Sequence, residues 1–362
     1  MGPGGQSGRG GPVLEVRREY RCCDRFAGTA TTARTSRRRM LKAAVFGPQD
    51  NLVGEVSGQK ARRRPPTGLP AAGQLPRALT GIVHDVSPHV LVIGCGGSEQ
   101  RIALTAGATA WRGGPVDPAG LQPGDQAVVR LDRSRRGVAD RIWANIGRVT
   151  GVIVARDAHG LLIDEGKTKP RRLVRIPDGS AGRIQVRFPN LEPGFLIDVI
   201  GLKQSEALEA RIPGTSQPVY PVDRLPTPPM VSGHAPTTIR GSATWHEPFE
   251  EPPGLLGVSY PALDPEAGCA EDPIGGGTAP RFARLPYLAI GSMLQIRNDC
   301  TDSACRLPVT GCAAIARLFN DRCVTCGTSP RGRIADLTLA SFIALGGELE
   351  RGCFNATVTM GR

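Results

Sequence analysis

An internal repeat in the middle of the chain constrains the fold more than any other feature of the sequence. The segment TGIVHDVSPHVLVI begins at Thr80, and the similar segment TGVIVARDAHGLLI begins at Thr150. Further along, LQPGD begins at Leu121 and LEPGF begins at Leu191. Both pairs are separated by the same 70 residues. A constant offset shared by two separate motifs indicates two copies of one structural unit.

Each copy has the pattern of a small β-structure. Short runs of Val, Ile and Leu alternate with turn residues, which is typical of short strands joined by tight connections. We therefore predict two tandem small β-barrels, residues 78–149 and 150–210, with the oligonucleotide-binding fold as the candidate topology. That fold implies no particular ligand. His89 and His159 stand at equivalent turn positions, so we interpret them as structural rather than catalytic residues.

The net charge of +12 is unevenly distributed along the 362 residues. Counting charged side chains gives +10 for residues 1–77, +4 for residues 78–232 and −2 for residues 233–362. A basic tail without interleaved aromatic residues is typical of a solvated, disordered arm. We therefore predict a disordered tail over residues 1–77 and no nucleic-acid binding by the folded part. Residues 211–240 are rich in proline, which predicts an extended linker.

The cysteines are concentrated near the C-terminus. Such crowding favours disulfides and an oxidising compartment. A zinc site is the alternative, but this region has one C-x-x-C and no histidine after His246 to complete a usual ligand set. We predict no metal, a disulfide between Cys323 and Cys326, and a second short loop closed by Cys300 and Cys305. Seven of the ten cysteines lie in the last 94 residues: Cys269, Cys300, Cys305, Cys312, Cys323, Cys326 and Cys353.

The tail contains a possible export signal. Residues 36–42, from Ser36 to Lys42, read SRRRMLK, which resembles the twin-arginine motif, but only AAVF follows where a longer apolar segment is expected. A degenerate signal and a chance match in an arginine-rich tail both remain open. The sequence has no run of 18 apolar residues, so no transmembrane helix is predicted. We expect an extracellular or cell-wall-associated protein.

The third unit, residues 241–362, carries a series of ordered motifs. The blocks are GSATW at 241–245, LPYLAIGSMLQIRN at 285–298, LFNDR at 318–322, GRIADLT at 332–338 and ASFIALGG at 340–347. Together they resemble the rare lipoprotein A family, whose domain is a double-psi β-barrel related to expansins and family 45 glycosidases. The resemblance implies the same barrel here. The residue pattern of LTLASFIALGG itself predicts one short helix, capped by Thr338 and stopped by Gly346 and Gly347. The expected fold class is therefore mainly β throughout.

The resemblance also implies a chemistry and its residues. Active family members cleave peptidoglycan glycan strands as lytic transglycosylases, in which a carboxylic acid protonates the glycosidic oxygen. Asp336 matches the aspartate of the family's I-D-L-S block, and Asp321 matches that of N-D-R. Glu271 stands near the place of a third family acid. These three are the catalytic candidates, and a working acid among them must have a raised pKa.

Other residues of the third unit are candidates for contact with a polysaccharide. Arg322 and Arg333 are expected to hold charge partners or sugar hydroxyls, and Trp245 either stacks on a sugar ring or belongs to the core. Asn320 and Tyr287 complete this set of expected substrate-binding residues. The pKa of an acid at position 336 is open, because a nearby helix N-terminus lowers it and burial raises it.

Two departures from the family pattern bear on the function. The family's histidine before LP is missing from TAPRFAR, and the loop after Asp321 and Arg322 is longer than in the family. Both favour glycan binding or weak cleavage over efficient catalysis. We expect cell-wall polysaccharide as the partner and no cofactor. The alternative is a non-catalytic interaction protein in which the tandem modules carry the binding and the third barrel is a scaffold.

Overall fold

The computed structural model confirms a mainly β protein built from three small closed barrels. No described helix has the length and apolar character that crossing a membrane requires. The predicted tail, residues 1–77, lies outside the described residues. The structure describes residues 78–132, 134–135, 137–166, 169–217, 221–224, 237–247, 254–263, 286–313 and 332–360.

The first barrel is a ring of five strands with a short sixth strand at its edge. Antiparallel pairing joins β2 to β1, β1 to β5 and β5 to β6, and a second pairing of β2 with β3 closes the ring. The pairing of β3 with β6 is parallel. The strands are β1 (Ala78–Val86), β2 (Val90–Cys95), β3 (Ser98–Trp111), β4 (Pro115–Val116), β5 (Gln126–Leu131) and β6 (Val138–Ala144).

The second barrel repeats this connectivity. Its ring runs β7-β8-β9-β11-β10, and only the pairing of β9 with β11 is parallel. A helix, α1 (Asp178–Arg187), follows β9 and contributes Ile184 to the barrel core. Both rings are compatible with the oligonucleotide-binding fold expected from the sequence. The strands are β7 (Ile146–Asp157), β8 (Gly160–Asp164), β9 (Arg172–Arg175), β10 (Leu196–Lys203) and β11 (Ala207–Pro213).

The 70-residue offset also holds for individual hydrogen bonds. The amide of Gly124 donates to the carbonyl of Val83 at 2.8 Å, and the amide of Gly194 donates to that of Ile153 at the same distance. Gly124 has φ +92° and Gly194 has φ +89°, a conformation that an L-side chain rarely adopts. Each P-G turn therefore folds back onto its own first strand, which explains why both copies keep the glycine.

The third barrel has six strands in the order β12-β16-β13-β15-β14-β17. The pairings of β12 with β16 and of β13 with β15 are parallel, and this mixed ring is compatible with a double-psi barrel. Helix α2 (Leu339–Ala344) begins at Thr338, whose Oγ1 accepts from the amide of Ser341, as predicted. The strands are β12 (Thr238–His246), β13 (Val258–Tyr260), β14 (Met293–Asn298), β15 (Ala304–Cys312), β16 (Arg333–Thr338) and β17 (Cys353–Met360).

The three barrels share one hydrophobic cluster. Trp111 and Trp143 of the first barrel and Ile146 and Ile200 of the second pack in the same cluster as the core of the third. Burial of apolar surface stabilises such contacts by roughly 25 cal/mol per Å². The third barrel therefore depends on its neighbours for part of its core.

Ion pairs reinforce the contact between the first and third barrels. The Arg130 guanidinium donates to Glu348 at 2.6 Å, and Arg141 pairs with both Glu348 and Glu350. The indole N–H of Trp143 donates to Glu350 at 2.5 Å. The guanidinium carbons of Arg130 and Arg141 lie 5.8 and 5.6 Å from the centre of the Trp143 ring. Partial burial makes these pairs stronger than ordinary surface salt bridges.

Candidate functional site

Asp336, the first of the predicted catalytic candidates, lies in the middle of β16. Strand β12 pairs with β16 in parallel, and β13 pairs with it in antiparallel register. Thr244 of β12 and Ser259 of β13 stand opposite Asp336. The hydroxyl of Thr244 donates to Asp336 Oδ1 at 2.8 Å. His246 lies two residues further along β12, so it shares a face with Thr244. Its Nδ1 is 4.0 Å from Asp336 Oδ1.

Asp336 and His246 are largely buried, and each side chain keeps 16% of its surface exposed. The Nδ1 atom of His246 is shielded from solvent. Thr244 is fully buried. The three side chains thus form a small, largely buried polar site.

The electrostatics of Asp336 oppose the general-acid role expected from the resemblance. Burial raises its pKa, but the positive charges of His246, Arg333 and Arg148 and the hydrogen bond from Thr244 outweigh burial and lower the pKa below its usual value. A carboxylate that is ionised at neutral pH has no proton to donate to a leaving oxygen. It can accept hydrogen bonds from hydroxyl groups instead.

Besides His246, the positive charge near Asp336 comes from a buried ionic network between the second and third barrels. Asp198 of β10 is fully buried and receives Nε and Nη2 of Arg148 at 2.8 and 2.7 Å. Nη2 of Arg333 donates to the same carboxylate at 2.5 Å, and Thr150 and Thr215 donate at 2.9 and 2.7 Å. Both guanidinium groups donate to the same carboxylate, and these hydrogen bonds hold them in fixed positions.

Arg148 also binds the backbone of the third barrel directly. Its Nη1 donates to the carbonyl of Trp245 at 2.8 Å and to that of Gly352 at 2.7 Å. These carbonyls belong to the end of β12 and to the turn before β17. The second barrel thus positions the strand that carries Thr244 and His246.

The sequence left two roles open for Trp245 and two for Arg333, and the structure selects one role for each. Trp245 is 1% exposed and its indole N–H donates to the carbonyl of Leu349 at 2.9 Å, so it is a core side chain and does not present its ring to a sugar. Arg333 is also 1% exposed and holds a charge partner, Asp198. Tyr287 is 41% exposed and precedes the bridge between Leu263 and Leu288.

The predicted loop between Cys300 and Cys305 is wrong, because both carry free thiols. The β14–β15 hairpin places Cys305 opposite Ile296, whereas Cys300 lies in the connecting turn and its amide donates to Asn298 Oδ1. The remaining predicted residues lie outside the described part of the chain. They are Glu271, Asn320, Asp321, Arg322, Cys323 and Cys326.

Sequence reasoning missed His246 as a site residue and missed Arg148 and Asp198 altogether. The sequence does contain a signal for His246: in TWHE, Thr244 and His246 are two residues apart and must share a face of any strand. Arg148 and Asp198 carry no such signal, since they are 50 residues apart and match no motif.

The described residues contain no cluster of three or more His, Cys, Asp or Glu side chains suited to a metal ion. Comparison with protein-family models and with curated proteins finds no match for this chain. The case for function therefore depends on the geometry of the site and on the resemblance in the motifs.

Proposed function

We propose that this protein acts outside the cytoplasm and binds cell-wall glycan through the Asp336 site without cleaving it efficiently. The observation that carries the proposal is a partly exposed carboxylate whose pKa is lowered by the nearby charges of His246, Arg333 and Arg148. Sugar hydroxyls donate well to such an acceptor. His246 beside it supplies an imidazole that can donate or accept, depending on its protonation.

The proposal is supported by two features of the sequence as well as by the site. The ordered motifs of the third unit resemble a family that acts on peptidoglycan, and the twin-arginine-like segment is consistent with export. The absence of the family's histidine before LP agrees with a site that recognises glycan more readily than it breaks it.

Sedimentation with purified peptidoglycan tests the binding. The whole chain should co-sediment, and Asp336→Ala should weaken binding roughly tenfold or more, because a hydrogen bond to a charged group contributes about 1.5–3 kcal/mol. The matched control is Asp302→Ala, which removes a carboxylate that is 85% exposed in the same barrel. Equal binding by wild type and Asp336→Ala would show that the glycan is held elsewhere.

Mass spectrometry of the digested glycan tests the absence of efficient cleavage. We expect the wild-type chain to produce no anhydro-sugar ends above background. Product that appears with wild type and disappears with Asp336→Asn would instead support the lytic transglycosylase hypothesis and contradict the role assigned to the lowered pKa. Binding that survives in a chain with both Asp336 and His246 replaced would favour the tandem barrels as the binding modules.

A further inference from the structure

A cavity lies where the three barrels meet, on the side of β12 opposite Thr244 and His246. Its volume is about 350 Å³, within the range of small-molecule sites in proteins. All three barrels contribute to its wall, which includes Trp245 of β12 and Glu247 just after that strand. Convex barrels cannot fill the space between them completely, which gives a physical reason for the gap.

Most of the cavity wall is apolar. Two of the wall residues, Ile82 and Leu255, are each 39% exposed, so large aliphatic side chains face open space there. Exposed apolar surface gathered around a concavity marks a binding site more often than scattered exposed residues do. The apolar wall includes Ala78, Ile82, Val128, Ile146, Leu255 and Leu339.

Two polar groups at the cavity wall have hydrogen-bonding capacity that the described residues do not use. The Lys203 ammonium has three donors. It pairs with Glu247 and lies 3.5 Å from Gln126 Oε1, which leaves one donor uncommitted among the described residues. The Thr80 hydroxyl also lines the cavity, is shielded from solvent and has no hydrogen-bond partner in the described part of the chain.

The charge around this polar end is positive. Glu247 lies 3.5 Å from Arg172, and Arg172 lies 3.8 Å from Glu165, which also contacts Lys169. Three cations therefore face two carboxylates. Burial raises the pKa of Glu165 above its usual value. A cationic head group would be repelled here, and an anionic head group would complete the pairing.

We propose that the cavity binds an amphiphile with one carboxylate head and an aliphatic chain, the carboxylate at Lys203 and Thr80 and the chain along the apolar wall. This site is separate from the Asp336 site and does not depend on the proposed glycan binding. A neutral sugar would leave the aliphatic wall in contact with polar groups, and an alkylamine would meet like charges. A carboxylate amphiphile places its charge beside the cations and its aliphatic chain against the apolar wall.

Isothermal titration calorimetry of the whole chain with octanoate tests the proposal. We expect saturable binding of one molecule per chain, with no comparable binding of octylamine or of acetate. Acetate lacks the chain that the apolar wall requires, and octylamine carries the wrong charge. Failure of octanoate to saturate, or equal binding of octylamine, overturns the proposal.

Two pairs of variants locate the site. Lys203→Met keeps the aliphatic stem and removes the charge, and it should weaken octanoate binding about tenfold, the loss of one charge-assisted contact. Lys169→Met, which removes a lysine of the same charge cluster outside the cavity wall, should weaken binding less than Lys203→Met does. Octanoate binding unaffected by Lys203→Met would contradict the assigned head-group contact.

The second pair tests the apolar wall. Ile82→Trp places a larger side chain at an exposed wall position and should block the cavity. Val90→Trp makes a comparable change at a residue of the same barrel that is 37% exposed and outside the cavity, so it should bind octanoate like wild type. If both tryptophan variants bind normally, the aliphatic chain does not occupy this cavity.

Discussion

Replacing Asp198 by asparagine should strongly destabilise the protein, because the change removes the carboxylate that accepts hydrogen bonds from both Arg148 and Arg333. The carboxylate is fully buried. Asparagine has nearly the same shape, but one of its two terminal atoms is a donor and would face the donors of the arginines or threonines. At least two hydrogen bonds are lost, and two buried guanidinium groups lose their neutralising partner.

The expected loss is about 3–5 kcal/mol in the free energy of unfolding, the range for breaking a buried ion pair by removing one partner. Urea unfolding followed by tryptophan fluorescence measures it. Trp111, Trp143 and Trp245 are all at most 3% exposed and report on the barrel contacts. The control Asp85→Asn, on an exposed carboxylate, should change stability by no more than about 0.5 kcal/mol.

The same variant should change the pH dependence of stability. The charges of Arg148 and Arg333 lower the pKa of Asp198 despite its burial. A group with a depressed folded-state pKa stabilises the fold above its unfolded pKa, about 3.9 for aspartate, and this contribution is lost as the pH falls below that value. Wild type should therefore lose more stability than Asp198→Asn on acidification below about pH 4. A loss under about 1 kcal/mol at neutral pH, with parallel pH curves, would refute the importance of the network.

Two further predictions follow from the repeat and from the thiols. Gly124→Ala and Gly194→Ala should each lower the free energy of unfolding in urea by about 1–2 kcal/mol, because both positions need a positive φ. Gly120→Ala is the control and should be neutral. Unequal losses at the two repeat positions would argue against equivalent turns. In native protein, alkylation followed by peptide mass spectrometry should show that Cys300 reacts before Cys95. Cys300 is exposed, whereas burial raises the pKa of the Cys95 thiol. The reverse order would contradict this difference in burial.

The sequence was sufficient to predict those features that depend on local or periodic patterns. The repeat was recognisable from two motifs at one spacing, and the start of α2 at Thr338 followed from capping preferences. The buried interface was not predictable, because Arg148, Asp198 and Arg333 come from separate parts of the chain. Nothing in their neighbouring residues distinguishes them from surface charges.

The roles of individual side chains within a matched block were harder to predict than the presence of the block. Trp245 and Arg333 lie inside matched blocks, yet both are core residues, since the neighbouring barrels cover the face from which they project. Asp336 lies in the matched position, but the pKa of its carboxyl depends on Arg148 from another barrel. The motif match therefore singled out Asp336, while the chemistry of its carboxyl is set by tertiary contacts.

The dependence of the third barrel on its neighbours leads to a prediction for the fragment of residues 237–362, which keeps all of β12. In the whole chain, Arg333 is neutralised by Asp198, and Ile200 packs against the third barrel's core. The fragment lacks both contacts and should unfold at a lower urea concentration than the third barrel does in the whole chain. Glycan assays therefore need the whole chain.

The effect of Arg333→Met on the free energy of unfolding should differ between the whole chain and the fragment, so this variant tests the dependence directly. In the whole chain it leaves Asp198 with one arginine fewer and should cost about 3–5 kcal/mol. In the fragment the arginine has already lost Asp198, so an apolar side chain of similar length should be neutral or stabilising. Urea unfolding of all four proteins gives the answer. A similar loss in both contexts would mean that Arg333 stabilises the third barrel by itself, and that the second barrel is not required to neutralise the charge beneath Asp336.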